Sequence, residues 1–182
     1  MAHEIIVGVS GGIAAFKTAA LVSELVQGGT GVTVVMTRAA CRFVGPATFR
    51  ALTGRQVLTR TFDTHDHPLG PHIELARQAE LLCVAPATAN VMAQAAHGIA
   101  NDLLSTLLLS FAGPVVMAPA MNSQMWQKPA VQRNLAQLRD DGVHIVDPQA
   151  GWLSCREKGV GRMAEPGQIK STIERLLQGK SQ

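Results

Sequence analysis

The sequence predicts an α/β fold: a three-layer, doubly wound parallel sheet. Three observations carry this. Five short apolar runs, Glu4–Val9, Val32–Met36, Leu81–Ala85, Pro114–Ala118 and Val143–Val146, are continuous rather than alternating, as in strands buried on both faces. Stretches with helical spacing separate them, the order that places strands side by side with helices over them. Glycine or proline punctuates several of the strand and helix ends.

Each element has its own signal. After Glu4–Val9, Ser10-Gly11-Gly12 breaks the strand. A helix follows with an apolar set at Ile13, Phe16, Ala20, Leu21 and Leu25, and Gly28-Gly29 ends it. Val32–Met36 is the second strand, and a helical stretch runs from about Pro46 to Leu52. Asp63–Pro71 is a loop rich in breakers. The third strand stops at Pro86. Helices near Ala89–Ala96 and Asp102–Phe111 come next, the second with a stripe at Leu103, Leu104, Leu107, Leu108 and Phe111. The fourth strand stops at Pro119, and a helix around Ala130–Asp140 leads to the fifth. A glycine-rich segment, Gly151–Gly167, precedes a last helix with Ile169, Ile173, Leu176 and Leu177 on one face and a polar tail after Gln178. The expected architecture is flavodoxin/Rossmann-like, a single domain over residues 1–182.

Composition excludes several functions. Of 182 residues, 47% are hydrophobic and 16% charged, which rules out disorder over most of the chain. Five Phe, two Trp and no Tyr leave too few aromatics for a single-strand nucleic-acid platform. A net charge of +3 without a basic run does not imply a polyanion partner and leaves a small anionic ligand open. Leu81–Ala100, the longest nearly uncharged stretch, holds two Asn, a Gln, a His and a Pro, so no membrane span is expected. Cys41, Cys83 and Cys155 form no CxxC and are read as reduced thiols of a cytoplasmic protein. His65 and His67 form an HxH without further ligands, and no metal site is expected.

In doubly wound folds the ligand sits at the carboxyl ends of the strands. There the first strand delivers Ser10-Gly11-Gly12 and Ile13 to a helix N-terminus, whose free N–H groups favour an anion. Gly8 to Ile13 does not fit G-x-G-x-x-G, and the second strand ends in Thr37-Arg38, not in an acid that would hold a ribose. Ser10 and Thr37 instead suit a terminal phosphate, as in a mononucleotide. The third and fourth strands end alike, in Pro86-Ala87-Thr88-Ala89-Asn90 and Pro119-Ala120-Met121-Asn122: small residues admit a flat ring, hydroxyls and amides address its edges. The structural alternative is that Thr88 caps a helix and Asn90 lies on its surface.

These residues resemble the flavin-containing cysteine decarboxylases. The family's P-A-S-A-N-T motif stands as Pro86 to Val91, and P-x-M-N-x-x-M-W is intact from Pro119 to Trp126. The clamp segment appears as Leu153-Ser154-Cys155-Arg156 followed by Gly159 to Pro166, the histidine motif as His72-Ile73-Glu74-Leu75, and the opening G-G-I-A-A-[YF]-K as Gly11 to Lys17. The resemblance implies bound FMN, with Ser10, Gly11, Gly12, Ile13 and Thr37 around its phosphate and Ala87, Thr88 and Asn90 along the rest of the site. It implies a homotrimer or a dodecamer of trimers, with the active site at a subunit interface. His72 is the expected base, Asn122 the carboxylate binder, Cys155 the proton donor, and Met125, Arg162 and Met163 further substrate contacts. Cys155 and Met125 could also be plain packing residues.

The implied reaction oxidises the thiol-bearing carbon first. The resulting thioaldehyde is an electron sink for loss of CO2, and the enethiol is then protonated and reduced. An imidazole near its ordinary pKa of about 6.5 can take a thiol proton at neutral pH. Three residues depart from the family pattern: Thr88 for Ser, Val91 for Thr and Arg156 for Gly. The expected activity is decarboxylation of 4′-phosphopantothenoylcysteine to 4′-phosphopantetheine in coenzyme A biosynthesis. The alternative is a peptidyl-cysteine decarboxylase acting on a C-terminal cysteine. A flavin prenyltransferase and a non-catalytic regulatory flavoprotein are further readings, disfavoured by the Cys155 segment and by the intact His72, Asn122 and Cys155. Many bacterial relatives carry a C-terminal synthetase domain. With the chain ending at Gln182, it is expected to act alone or beside a separate partner enzyme.

Overall fold

The computed structural model describes residues 3–62 and 70–179. Strand β1 (Glu4–Val9) leads through the glycine loop into α1 (Ala15–Gln27), and β2 (Gly31–Met36) follows. A 3₁₀ turn at Ala40–Arg42 and α2 (Pro46–Thr53) come next, then α3 (Pro71–Gln78), β3 (Leu81–Ala87), α4 (Ala89–Ala96), α5 (Leu103–Ser110) and β4 (Val115–Pro119). The chain continues through the single turn of α6 (Ser123–Trp126), α7 (Pro129–Asp140), the short β5 (His144–Ile145), β6 (Gln149–Trp152), β7 (Lys158–Arg162) and α8 (Pro166–Gln178).

Strands β1 to β5 form one parallel sheet in the order β2-β1-β3-β4-β5. Period-two alternation sends Ile5, Val7 and Val9 into one core with α1, α2 and α8, and Ile6 into the other with α4, α5 and α7. Gly8 faces α5 so closely that a Cβ there would run into Leu104. All seven residues of β3 are buried. Because β1 is flanked by β2 on one side and β3 on the other, the winding reverses between β1 and β3. At such a switch point the helices diverge and leave a crevice above the strand tips.

The structure corrects several sequence expectations. Ile13 and Phe16 are 55% and 59% exposed, not part of the buried face, and Ala20 is exposed too. Helix α1 starts at Ala15, and its inward face is Ala15, Thr18, Leu21, Val22 and Leu25. Thr18 can sit there because its hydroxyl donates to the Ala85 carbonyl at 2.7 Å, so a polar residue hid the true phase of the stripe. β3 runs through Pro86 to Ala87, with a register irregularity after Val84. β5 has only two residues. Helices α3 and α6 and the antiparallel β6–β7 hairpin were not expected. Most of the breaker-rich loop, with His65 and His67, and the last residues of the polar tail lie outside the described residues.

Candidate active site

A crevice of about 960 Å³ opens at the strand tips of the switch point. One wall is the β1–α1 loop, with Ser10, Gly11, Gly12 and Ile13. Thr37, beyond β2, stands beside it. The floor continues through Thr88 and Asn90 after β3 and Asn122 and Met125 after β4. Cys155, Arg162 and Met163, from the hairpin and its return, complete the lining.

The β1–α1 loop is an anion cradle made of backbone. Gly12 N–H donates to Ser10 O, while the amides of Gly11, Ile13 and Ala14 have no acceptor among the described residues. Such amides before a 13-residue helix point positive charge at the crevice. Gly11 is required: a Cβ there would collide with Ala39. The two hydroxyls differ. Ser10, 2% exposed, donates to Pro86 O at 2.7 Å and accepts from Thr88 N at 3.1 Å, so its oxygen clasps the tips of β1 and β3 together. Thr37 Oγ1 accepts from Ala40 N at 3.1 Å, which leaves its O–H free to donate. Free amides and a free hydroxyl fit a phosphate group.

At the tip of β3, Thr88 is the N-cap of α4, accepting from Val91 N at 3.4 Å, and Asn90 is exposed in the first turn, facing the crevice. Thr88 thus caps the helix and lines the crevice at once. At the tip of β4, Asn122 Oδ1 accepts from Met125 N at 2.8 Å. With the oxygen engaged, the Nδ2 amide, which has no partner among the described residues, is the end left to meet an acceptor such as a carboxylate.

The hairpin lies over Asn122 because β7 has glycines where it crosses. Gly161, at φ 146°, passes so close that a Cβ would strike Met121 O, and a Cβ on Gly159 would strike Ser123 Oγ. Met121 N donates to Gly161 O at 3.0 Å. At the hairpin tip, Arg156 N donates to Leu153 O at 2.9 Å and Leu153 N to Glu157 O at 2.8 Å. Arg156 holds φ 65°, the left-handed region that glycine favours. Cys155 is exposed, with Sγ 3.9 Å from Glu157 Oε2.

Two expected site residues lie elsewhere. Ala87 is fully buried in β3 and does not line the crevice. Its neighbours Thr88 and Asn90 take that wall, because β3 continues one residue past its proline. His72 sits on α3 and is likewise outside this lining. Its Nδ1 is buried without a hydrogen-bond partner among the described residues, and the ring packs against Gly70, whose φ of 95° brings the chain round before the helix. Residues unmarked by sequence reasoning join the crevice: Gln94, Asn101, Asp102, Trp152 and Lys17. Gln94 is 8% exposed and donates to Asn101 Oδ1 at 2.7 Å. A glutamine in an otherwise apolar helix stripe was the available signal. Among the described residues no group of three or more His, Cys, Asp or Glu could hold a metal ion, and no helix is long and apolar enough to cross a membrane.

A doubly wound sheet with a phosphate-sized backbone cradle at its switch point defines a nucleotide-binding class of α/β protein. The Flavoprotein family model matches residues 1–178, and the chain belongs to that family; its cofactor is a flavin. Coenzyme A biosynthesis bifunctional protein CoaBC of Bacillus subtilis (strain 168) is 47% identical over 173 residues, 95% of this chain and 43% of that protein. The chain thus spans less than half the length of that curated relative. The FMN-dependent cysteine decarboxylase SpaF superposes with a TM-score of 0.86 at 35% identity, over 99% of this chain and 98% of its own. A PPC decarboxylase mutant complexed with pantothenoylaminoethenethiol superposes at 0.87 with 27% identity, over 98% of this chain and 100% of its own.

Proposed function

We propose that the chain is an FMN-dependent decarboxylase that converts 4′-phosphopantothenoylcysteine to 4′-phosphopantetheine, acting as one domain of a cytoplasmic protein. The observation that carries this reading is the convergence, in one crevice, of the Ser10–Ala14 cradle, the free amide of Asn122 and the exposed thiol of Cys155. The likeness to a coenzyme A biosynthesis protein and to a PPC decarboxylase favours the small phosphorylated substrate.

The amides of Gly11, Ile13 and Ala14 and the Thr37 hydroxyl would hold the FMN phosphate, and Thr88 and Asn90 would line the ring. When bound, the flavin supplies two-electron oxidation and reduction at the thiol-bearing carbon. The chain's own side chains do the rest. Asn122 Nδ2 donates to the substrate carboxylate; a neutral amide holds the anion without a positive charge that would oppose loss of CO2. Cys155 Sγ returns a proton to the product carbon. Met125, Arg162 and Met163 close around the substrate, and the hairpin excludes water. His72 takes the substrate thiol proton on its imidazole. Because His72 lies outside its own chain's crevice, this reading requires a second copy: a homotrimer, alone or built into a dodecamer, with His72 of one subunit serving the crevice of another. Exposed Ile13 and Phe16 on the crevice rim offer apolar surface for that contact.

The test is incubation of the FMN-loaded protein with 4′-phosphopantothenoylcysteine, followed by mass spectrometry. Loss of CO2 from that compound is the expected result. The likeness to SpaF supports a second reading, decarboxylation of a peptide's C-terminal cysteine. Turnover of such a peptide, with the small molecule untouched, would put that reading first.

A further inference from the structure

Three cations line the crevice, Lys17 from α1, Arg38 beyond β2 and Arg162 from β7, and one carboxylate outside it binds Lys17 and Arg162. Glu165 Oε1 accepts from Lys17 Nζ at 2.9 Å and lies 3.3 Å from Arg162 Nη2. Arg162 Nη2 also donates to Gln149 Oε1 at 3.1 Å, and Gln149 Nε2 in turn donates to Gln168 Oε1 at 2.5 Å. The Arg162 side chain passes over Gly151, its Nε 3.1 Å from where a Cβ would stand, so a larger residue there would push the arginine aside by a few tenths of an ångström. Lys17 is 17% exposed and Glu165 46%, so the pair is partly screened by solvent. The lysine beside Glu165 also holds that carboxyl below its ordinary range.

We propose that Glu165 is a positioning residue that ties the β6–β7 hairpin, and with it Cys155, to the helix that begins at the anion cradle. This rests on the decarboxylase reading for the meaning of Cys155, but the tie itself is mechanical. Lys17 is in the first turn of α1, five residues beyond Gly12. Glu165 N-caps α8, and Arg162 closes β7. One oxygen therefore joins the cofactor side of the crevice to the thiol side across 148 residues of sequence. The hairpin needs such a tie, because among its residues only Leu153 and Gly161 are buried.

The test uses the FMN-loaded protein and the variants Glu165→Gln, Lys17→Met and the double variant. The glutamine keeps an oxygen for the helix cap and removes the charge. Amide hydrogen exchange over residues 149–162 should rise about fivefold in each single variant, on the scale of a partly exposed charge pair, with β1 and β3 unchanged. The double variant should be no worse than either single one, since both remove the same bond. With 4′-phosphopantothenoylcysteine, KM should rise by a similar factor while kcat changes less. Unchanged hairpin exchange in Glu165→Gln, or effects of the two substitutions that add, would overturn the proposal. Equal loosening of the whole chain would also overturn it, because that is the signature of a helix cap alone. If the wild type fails to turn over the substrate, the decarboxylase reading falls while the exchange arm still decides the tie.

Discussion

The two sides of the crevice are built differently. The strand-tip side belongs to the sheet: Val9 and Ala87 are fully buried, Ser10 is 2% exposed, and its hydroxyl locks β1 to β3. The hairpin side stands out from the body: Trp152, Val160 and the run Ser154 to Lys158 are exposed. Buried apolar contacts make a region rigid, while exposed backbone held by polar bonds opens at little free-energy cost. The difference teaches a division of labour. On the proposed reading, the cofactor is held by preorganised backbone and the substrate by the more exposed hairpin.

The largest expected effect comes from the residue on neither side. His72→Asn should bind FMN as the wild type does, yet lose about 10²- to 10⁴-fold in rate, the usual contribution of a general base. Since His72 lies outside its own crevice, co-expressing His72→Asn chains with Asn122→Asp chains should restore part of the activity in mixed assemblies. Activity assays on the mixed and unmixed proteins check this. No recovery would mean that His72 serves no crevice but its own.

Cys155→Ser separates the two sides functionally. The residue is exposed, so stability should move by no more than about 0.5 kcal/mol, and FMN binding should be intact. Loss of CO2 should continue while the unsaturated thiol product accumulates and the flavin stays reduced, read by mass and by absorbance. Full turnover would remove Cys155 from the chemistry and reduce the hairpin to a cover.

Gly11→Ala tests the rigid side. The new methyl would meet Ala39 Cβ, with the Ala39 carbonyl carbon only 3.0 Å away, and backbone cannot swing aside as a side-chain tip can. Overpacking of this kind costs about 1–3 kcal/mol. Falling on the cradle, that corresponds to roughly a tenfold or larger rise in the FMN dissociation constant, measured by fluorescence titration of the apoprotein. An unchanged constant would show that the cradle yields, and the contrast between the two sides would weaken.

The sequence revealed the buried side far better than the exposed one. Continuous runs such as Leu81–Ala85 are legible because full burial on both faces leaves room for nothing polar. The switch-point logic then points to Ser10, Thr37, Thr88 and Asn122 without any knowledge of side-chain positions. The hairpin was illegible because it stands out from the body and buries little. Gln149–Trp152 and Lys158–Arg162 bury too little to show a two-residue alternation, and the glycines at 151, 159 and 161 read as loop when they serve close crossings. Helix α3 has only Pro71 and Leu75 buried, so no stripe announces it. Ile13 and Phe16 misled in the opposite sense: their apolarity serves the crevice rim, not the core of the chain.

Two cysteines sharpen the contrast through pH. Cys83 is fully buried in β3, and burial pushes its pKa up to about 12. In the unfolded chain a thiol ionises near 8.5. The raised folded value means this contribution is fully present below about pH 8.5 and is lost as pH rises toward 12. In that window stability should fall by up to about 1.4 kcal/mol per pH unit from this group. Denaturant melts between pH 8 and 11 should show that slope, and Cys83→Ala should flatten it. Alkylation at pH 8 should modify Cys155 in the folded protein and Cys83 only on unfolding.

The smallest effect lies at the hairpin tip. Arg156 occupies φ 65° after a turn closed by Arg156 N–H to Leu153 O, a position where a Cβ costs roughly 1–2 kcal/mol. Arg156→Gly removes that strain but gives the unfolded chain more freedom, which returns about 0.4–1 kcal/mol. The net should be a gain of between about 0 and 1.6 kcal/mol, or a rise in Tm of up to roughly 6 °C for a chain of this length. Differential scanning calorimetry decides it. A lower Tm would mean that the exposed guanidinium makes contacts worth more than the strain, and the hairpin tip would then count with the rigid side of the crevice. A higher Tm would leave the arginine in place for a reason other than stability, beside the one thiol that the hairpin presents.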